Sequence, residues 1–205
     1  ASLYAGSGEI GKNEYAAHVF AILSLAAVKN NDRVGAAFFS DRIEKWIPPS
    51  KGRKHILSLI HELLKIEPLG TGSDLDLALK GVYRNLKRRG ICFIISDFRT
   101  EGYLDSLSLL ARKHDCVAVK IVDPADTVFP RAGIMELEDP ESAEVLFADG
   151  KSSSFRQAYE RYWRGKQAAW ETSCARRGVE TLTLSTSDDP GVEILRFFRR
   201  RRRAS

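Results

Sequence analysis

Residues 91–122, ICFIISDFRTEGYLDSLSLLARKHDCVAVKIV, decide the fold class. Two continuous apolar runs, ICFIIS (91–96) and CVAVKIV (116–122), flank a segment from about Tyr103 to Lys113 that has the period of an amphipathic helix. Strands that are apolar on both sides are typical of a parallel sheet covered by helices on both faces. We expect VETLTLS (179–185) to lie parallel to them in the same sheet. The sequence therefore predicts an α/β fold with an open, mostly parallel sheet.

The segments on either side extend this pattern. Residues 12–29 are apolar on nearly every side, which predicts a helix buried against the sheet, and helices around 56–64 and 75–86 each have one apolar face. Hairpins are predicted over 33–48 and 134–149, the second between the fifth strand and a long aromatic helix. A short closing helix is predicted from about Gly191. We expect one domain over residues 1–198 and a basic tail over 199–205.

Composition narrows the class of protein. A chain of 205 residues with 43% apolar content can build one core without disulfides or metals. The net charge of +5 comes from Arg199 to Arg203, because the remaining chain has 27 basic and 27 acidic residues. Nucleic-acid binding is therefore not favoured, although this tail remains a candidate for contacting nucleic acid or an acidic partner. No apolar run is long enough to span a bilayer, and the start does not resemble a signal peptide.

The cysteines indicate a reducing compartment. Cys92, Cys116 and Cys174 form no C-x-x-C pair and are odd in number, which argues against a disulfide framework and against a zinc site. Cys92 and Cys116 fall within apolar runs and are expected to be inert core thiols. Together with the lack of a membrane segment, this predicts a cytoplasmic protein.

The segment AGSGEIGKN (5–13) matches two phosphate-binding patterns, G-x-G-x-x-G and G-x-x-x-x-G-K. A phosphate loop needs a buried strand before it, and only ASLYA precedes Gly6 in this chain. Asn13 stands where a serine or threonine hydroxyl is needed for Mg²⁺. We therefore expect a loop that feeds a helix near Lys12, without nucleotide binding.

Three short segments carry a different resemblance. AS at the start, GTGSDLDLAL (70–79) and IISDF (94–98) resemble the metal-ion-dependent adhesion site of von Willebrand factor A-like domains. The resemblance implies Ser2, Ser73 and Asp97 as metal ligands and Mg²⁺ as the ion, with an open position for a partner's carboxylate. Two structural alternatives stay open: Ser73 and Asp76 fit a capping box, and Asp97 fits a residue that ends a strand and caps the next segment.

The resemblance extends over nearly the whole chain. Segments including RRGICFIISDF (88–98) and the stretch from ARKHD to LFAD (111–149) resemble one bacterial subfamily, domain of unknown function family 58, which is often encoded beside MoxR-type AAA+ ATPases. The resemblance implies a non-catalytic interaction module, and a MoxR-type ATPase or another acidic protein as its partner. The family's opening Asp and first Ser would precede Ala1, so this chain is expected to be a fragment or processed form that binds Mg²⁺ weakly or not at all.

One alternative belongs to another functional class. A metal-dependent enzyme acting on nucleotides or nucleic acids would use Asp97 with Asp74 or Asp123, together with the arginine tail. Such chemistry requires at least two carboxylates to converge on one ion.

Overall fold

A computed structural model describes residues 11–66, 72–129, 131, 133–138, 145–149 and 151–204. The helices are α1 (Lys12–Lys29), α2 (Arg53–Lys65), α3 (Leu75–Asn85), α4 (Leu104–Lys113), α5 (Pro124–Thr127), α6 (Ser153–Ala175) and α7 (Pro190–Ala204). The strands are β1 (Val34–Phe39), β2 (Ile43–Ser50), β3 (Ile91–Ser96), β4 (Asp115–Val122), β5 (Ile134–Glu138), β6 (Val145–Asp149) and β7 (Glu180–Ser185).

The centre of the fold is a three-stranded parallel sheet in the order β3-β4-β7. The predicted parallel arrangement of these strands is confirmed. Strand β4 lies in the middle and is almost wholly buried, which explains its unbroken apolar run. The carboxyl ends of all three strands meet at one edge, where open α/β folds bind ligands.

Helices cover both faces of this sheet, as the apolar runs predict. On one face, Ile94 and Ala118 pack with residues of α3, α4 and α6. On the other face, Val117 and Val119 pack against α1 and α7, whose buried contacts include Tyr15 and Phe197. Alternate residues along each strand therefore enter different cores, and the strands are held between two layers of helices.

The two hairpins form at the predicted places, but each is a sheet of its own. Strands β1 and β2 pair antiparallel, as do β5 and β6, and among the described residues neither pair is hydrogen-bonded to the three-stranded sheet. The predicted open sheet therefore consists, in the described ranges, of the three parallel strands, and the hairpin over 33–48 is separate from it, as is the hairpin predicted as an addition. Side-chain packing positions the first hairpin instead: the Phe38 ring lies 6.0 Å from the Phe20 ring of α1, and Phe39 packs against the core on the other face.

The closing helix extends through the arginine run. Helix α7 continues to Ala204, so Arg199 to Arg203 occupy its last turns. Arg201 turns inward and forms ion pairs with Asp115 and Glu180, while its neighbours in the run face solvent. None of the helices in the described ranges is long and apolar enough to cross a bilayer.

Candidate functional site at the carboxyl edge of the sheet

Asp97 follows β3 directly and is held by a tight turn. Asp97 is 3% exposed, and the backbone turns at the next residue, Phe98, whose φ is 53°. Ser96 Oγ accepts a hydrogen bond from the Phe98 amide at 3.2 Å, and Asp97 Oδ1 accepts from the Arg99 amide at 3.4 Å. The left-handed conformation at Phe98 is uncommon for a bulky side chain. Its ring packs against Trp170 with centroids 5.0 Å apart, and this contact anchors the turn.

A chain of charged side chains runs across this edge of the sheet. Arg99 lies 3.7 Å from Asp97 Oδ2 through its Nε and 2.6 Å from Asp126 Oδ1 through a terminal nitrogen. The ammonium of Lys12, which is fully buried, lies 2.6 Å from Asp126 Oδ2. Burial lowers the pKa of Lys120, and the charge of nearby Asp97 opposes that shift. The negative charge of Asp97 is therefore balanced by cationic side chains of the chain itself.

Ser73 reaches the same region from the start of α3. The cap of this helix is Asp74, whose Oδ1 accepts a hydrogen bond from the Leu77 amide at 2.8 Å. The capping box proposed for Ser73 and Asp76 is therefore wrong, because Asp76 bonds to Ser106 at 2.5 Å and pairs with Lys80 at 2.6 Å. Capping does not account for the serine at position 73.

A polar pocket joins the start of α3 to the turn that follows Asp97. It is open to solvent, has a volume of about 580 Å³ and is lined by Ser73, Asp74, Leu75, Asp76, Thr100, Glu101 and Gly102. The structure thus brings Ser73 together with the loop that begins at Asp97. Ser2 lies outside the described residues, and the assignment of all three side chains as metal ligands stays a prediction.

The donors at this edge do not by themselves fit a tightly held Mg²⁺. Among the described residues there is no group of three or more His, Cys, Asp or Glu side chains that could hold a metal ion. Mg²⁺ keeps its water shell unless charged oxygen ligands replace it, and Asp97 already has Arg99 beside it. The described part of the site is better suited to an ion pair than to a divalent cation.

The further carboxylates required by the enzyme alternative have structural roles. Asp123 caps α5 by accepting from the Ala125 amide at 2.9 Å, and it also accepts from Thr186 Oγ1 at 3.2 Å. Asp74 caps α3. Both carboxylates therefore have a structural role in the described residues, and their convergence with Asp97 on one metal ion stays a prediction.

Sequence reasoning missed Lys12, Arg99 and Asp126 as members of this edge. The glycine-rich pattern drew attention to Lys12 as a phosphate ligand, whereas its ammonium contacts Asp126. Gly6 and Gly8 lie outside the described residues. A usable signal was present in Asp123 and Asp126, because D-x-x-D is a capping-box spacing and α5 has that box.

Comparison with known protein families gives one match that decides the family. The model of the family described as "Protein of unknown function DUF58" matches residues 1–169. The chain belongs to this family. Uncharacterised proteins of Mycobacterium tuberculosis and Mycobacterium bovis are each 28% identical to this DUF58 chain over 212 aligned positions, and the chain spans 65% of their length. An uncharacterised protein of Mycobacterium avium is 30% identical over 165 positions, which cover 78% of this chain and 95% of that protein.

Two solved structures share the fold of this DUF58 chain. One is the conserved hypothetical protein BatB from Bacteroides thetaiotaomicron, with a TM-score of 0.62 over 99% of this chain and 93% of that one. The other is an aerotolerance-related membrane protein from Bacteroides fragilis, with a TM-score of 0.61 over 97% of this chain and 92% of that one. Sequence identity is 16% in both cases, so the likeness concerns the fold alone.

Proposed function

We propose that this chain is a non-catalytic protein-interaction domain of the von Willebrand A-like class, and that it recognises its partner at the carboxyl edge of the three-stranded sheet. The observation that carries the proposal is the open polar pocket that the start of α3 and residues 100–102 form together. Its open form and few apolar walls suit the side chains of a protein partner better than a small molecule, which is normally bound in a mostly apolar cleft.

The engaged carboxylates support a non-catalytic role. Asp123 and Asp74 cap helices, and Asp126 pairs with Lys12 and Arg99. General acid–base or metal-assisted chemistry needs side chains that converge on a reacting atom. The described residues of this edge converge on one another instead.

The resemblance of the sequence favours a MoxR-type AAA+ ATPase as the partner. The pocket adds a constraint on the chemistry of contact, because three acidic residues, Asp74, Asp76 and Glu101, are among those that line it. Without a metal ion, this lining attracts a basic side chain of the partner. A partner carboxylate would be attracted only if a cation were bound, and Mg²⁺ would supply that positive charge.

We further propose that Mg²⁺ binding by this chain is weak or absent. The described donors are one hydroxyl and one carboxylate, from Ser73 and Asp97, and Arg99 neutralises the second of them. Calorimetric titration with MgCl₂ is expected to show no saturation at millimolar concentrations. Binding at micromolar concentrations that Asp97→Asn abolishes would contradict this expectation and would favour a complete adhesion site.

A binding assay with charge reversals tests the location of the surface. Glu101 is exposed in the pocket, so Glu101→Lys is expected to weaken binding of the neighbouring MoxR-type ATPase by about tenfold or more. Asp32→Lys is the matched control. Helix α1 has 18 residues and begins at the same edge of the sheet as the pocket, and Asp32 is exposed just beyond its carboxyl end, so this carboxylate lies away from the pocket. Adding EDTA is expected to change neither result.

Two outcomes of this assay would contradict the proposal. The first is wild-type affinity in both Glu101→Lys and Asp97→Asn. The second is an equal loss of affinity in Glu101→Lys and Asp32→Lys, which would indicate a response to net charge rather than to the pocket.

A further inference from the structure

Two cysteines that are far apart in sequence lie side by side in the sheet. Cys92 of β3 is the register partner of Cys116 of β4 in the parallel ladder. Register partners on adjacent strands project to the same face, and neighbouring strands are about 4.8 Å apart. Both side chains contribute to the core formed with α3, α4 and α6. Nothing in the spacing of the two residues along the chain indicates this contact.

The Cα separation expected of a register pair is compatible with a covalent bond between the two sulfurs. Disulfides are found where Cα atoms are about 4.4 to 6.8 Å apart and the Cβ atoms point toward a common space. A register pair in a parallel sheet falls within that range. Both cysteines are free thiols in the structure.

The two thiols differ in their access to solvent. Cys92 is half-buried and follows Ile91, which is 53% exposed at the start of β3. Cys116 is 1% exposed. A small oxidant can therefore approach Cys92 first, and Cys116 is already in place behind it.

We propose that Cys92 and Cys116 are a modification site at which a peroxide forms an intramolecular disulfide. The Cys92 thiolate attacks one oxygen of hydrogen peroxide, the O–O bond breaks, and hydroxide leaves, which yields a sulfenic acid at Cys92. The Cys116 sulfur then attacks the Cys92 sulfur, the S–O bond breaks, and the departing hydroxide takes the Cys116 proton to form water. The two thiols are oxidised by two electrons, and the peroxide is reduced to two molecules of water.

The order of the two steps follows from the greater access of solvent to Cys92, and the pKa shifts of the two thiols favour the same order. The hydrogen bond from Cys116 lowers the pKa of Cys92, against the effect of burial. The pKa of Cys116 is raised by its hydrogen bond to Cys92 and by burial. Since the thiolate is the nucleophile, Cys92 attacks the oxidant and Cys116 resolves the intermediate.

Cys174 is the internal control for this site. It lies on α6 in the same core and is fully buried, but it has no partner in the strand register. Burial raises the pKa of its thiol to about 11, so it has little thiolate character at neutral pH. We expect it to remain reduced when the other two cysteines are oxidised.

The disulfide would lie at the amino end of the sheet, away from the pocket beside Asp97. It would close the loop that contains α4 and would restrict the unfolded chain, which raises the melting temperature of the oxidised form. This inference does not depend on the proposed interaction function, and each is tested by a different readout.

The experiment is peroxide treatment of the purified chain, followed by alkylation of the remaining thiols, tryptic digestion without reductant and mass spectrometry. The expected product is a linked pair of peptides, GICFIISDFR (90–99) and HDCVAVK (114–120), that has lost two hydrogen atoms. The peptide QAAWETSCAR (167–176) is expected to be alkylated at Cys174. Reduction should separate the linked pair and lower the melting temperature of the oxidised chain.

Variants assign the roles. Cys174→Ser is expected to form the linked pair as the wild type does. Cys116→Ser is expected to form none and to accumulate a sulfenic acid at Cys92 that dimedone traps. Cys92→Ser is expected to lose both products, with circular dichroism showing that each variant is folded. A bond from Cys116 to Cys174, bonds between separate chains only, or sulfinic acid at Cys92 of the wild type without the linked pair would each overturn the proposal.

Discussion

At the scale of single residues, the buried ammonium of Lys12 gives the lysine of the phosphate-loop pattern a structural role. The ammonium forms an ion pair with Asp126 inside the fold, and the same carboxylate contacts Arg99. An ammonium held in this way is not directed at a ligand in solvent. Calorimetry with ATP and Mg²⁺ is therefore expected to show no binding.

Lys12→Met tests the structural role of this ion pair. The substitution removes one of the two cations that contact Asp126, and it is expected to lower the free energy of unfolding by about 2 kcal/mol. The loss is smaller than for a fully buried ion pair because Asp126 is 20% exposed. Lys29→Met, an exposed position on the same helix, should change it by less than about 0.5 kcal/mol. Urea unfolding measures both. Equally small changes in the free energy of unfolding for Lys12→Met and Lys29→Met would contradict the assigned role. In the ATP calorimetry, micromolar binding that Lys12→Met abolishes would favour an ATPase.

His114 gives a prediction about pH. It is 2% exposed, and both ring nitrogens lack a hydrogen-bond partner among the described residues. Burial lowers the pKa of His114 below its ordinary value of 6.5, and the positive charges of Lys113 and Arg89 lower it further. The unfolded chain therefore binds a proton at a pH where the folded chain does not. The free energy of unfolding should decrease as the pH falls below about 6.5, by up to about 1.4 kcal/mol per pH unit until the folded pKa is reached.

His114→Leu isolates this contribution. The variant should lose less stability than the wild type between pH 7 and pH 5 in urea unfolding. His61→Leu, at an exposed position, should follow the wild-type profile. Parallel pH profiles for the wild type and His114→Leu would show that His114 does not contribute.

At the scale of elements, Arg201 distinguishes α7 from a solvated basic tail. Its guanidinium pairs with Asp115 at the start of β4 and, at 3.1 Å, with Glu180 at the start of β7. Arg201→Ala is expected to lower the free energy of unfolding by only about 1 kcal/mol, because both carboxylates are partly exposed. The loss should be smaller at high salt, which screens the ion pairs. Arg202→Ala should have almost no effect, because this side chain faces solvent. Equal effects in urea unfolding would show that the ion pairs add nothing.

The elements themselves could largely be predicted from the sequence. Continuous apolar segments predict α1 at Lys12–Lys29 and the three parallel strands, because elements that are buried on several sides need apolar residues at most positions. Whether the first hairpin joins the parallel sheet could not be predicted in the same way. Hydrogen bonds between strands use backbone groups, which leave no pattern in the side chains, so one sheet and several separate sheets look alike in sequence.

At the scale of the whole molecule, contacts between distant segments account for what the sequence did not predict. The buried position of Lys12 depends on Asp126, and the contact between Cys92 and Cys116 depends on the strand register. Of the candidate site, the sequence predicts that Asp97 lies at the carboxyl edge, because the residue after a buried strand of a parallel sheet must lie there. The neutralising role of Arg99 could not be predicted, since it depends on the conformation of the turn at Phe98.

The most direct test of the central claim is amide hydrogen exchange of this chain with and without a MoxR-type ATPase, the proposed partner. If the carboxyl edge of the sheet is the recognition surface, binding should slow exchange most at residues 72–76 and 97–102, which form the pocket and the turn beside it. Residues at the opposite edge, 88–91 and 178–181, should exchange at the same rate in both states. Protection confined to that opposite edge or to the exposed arginines of α7, with residues 72–76 and 97–102 unchanged, would contradict the account.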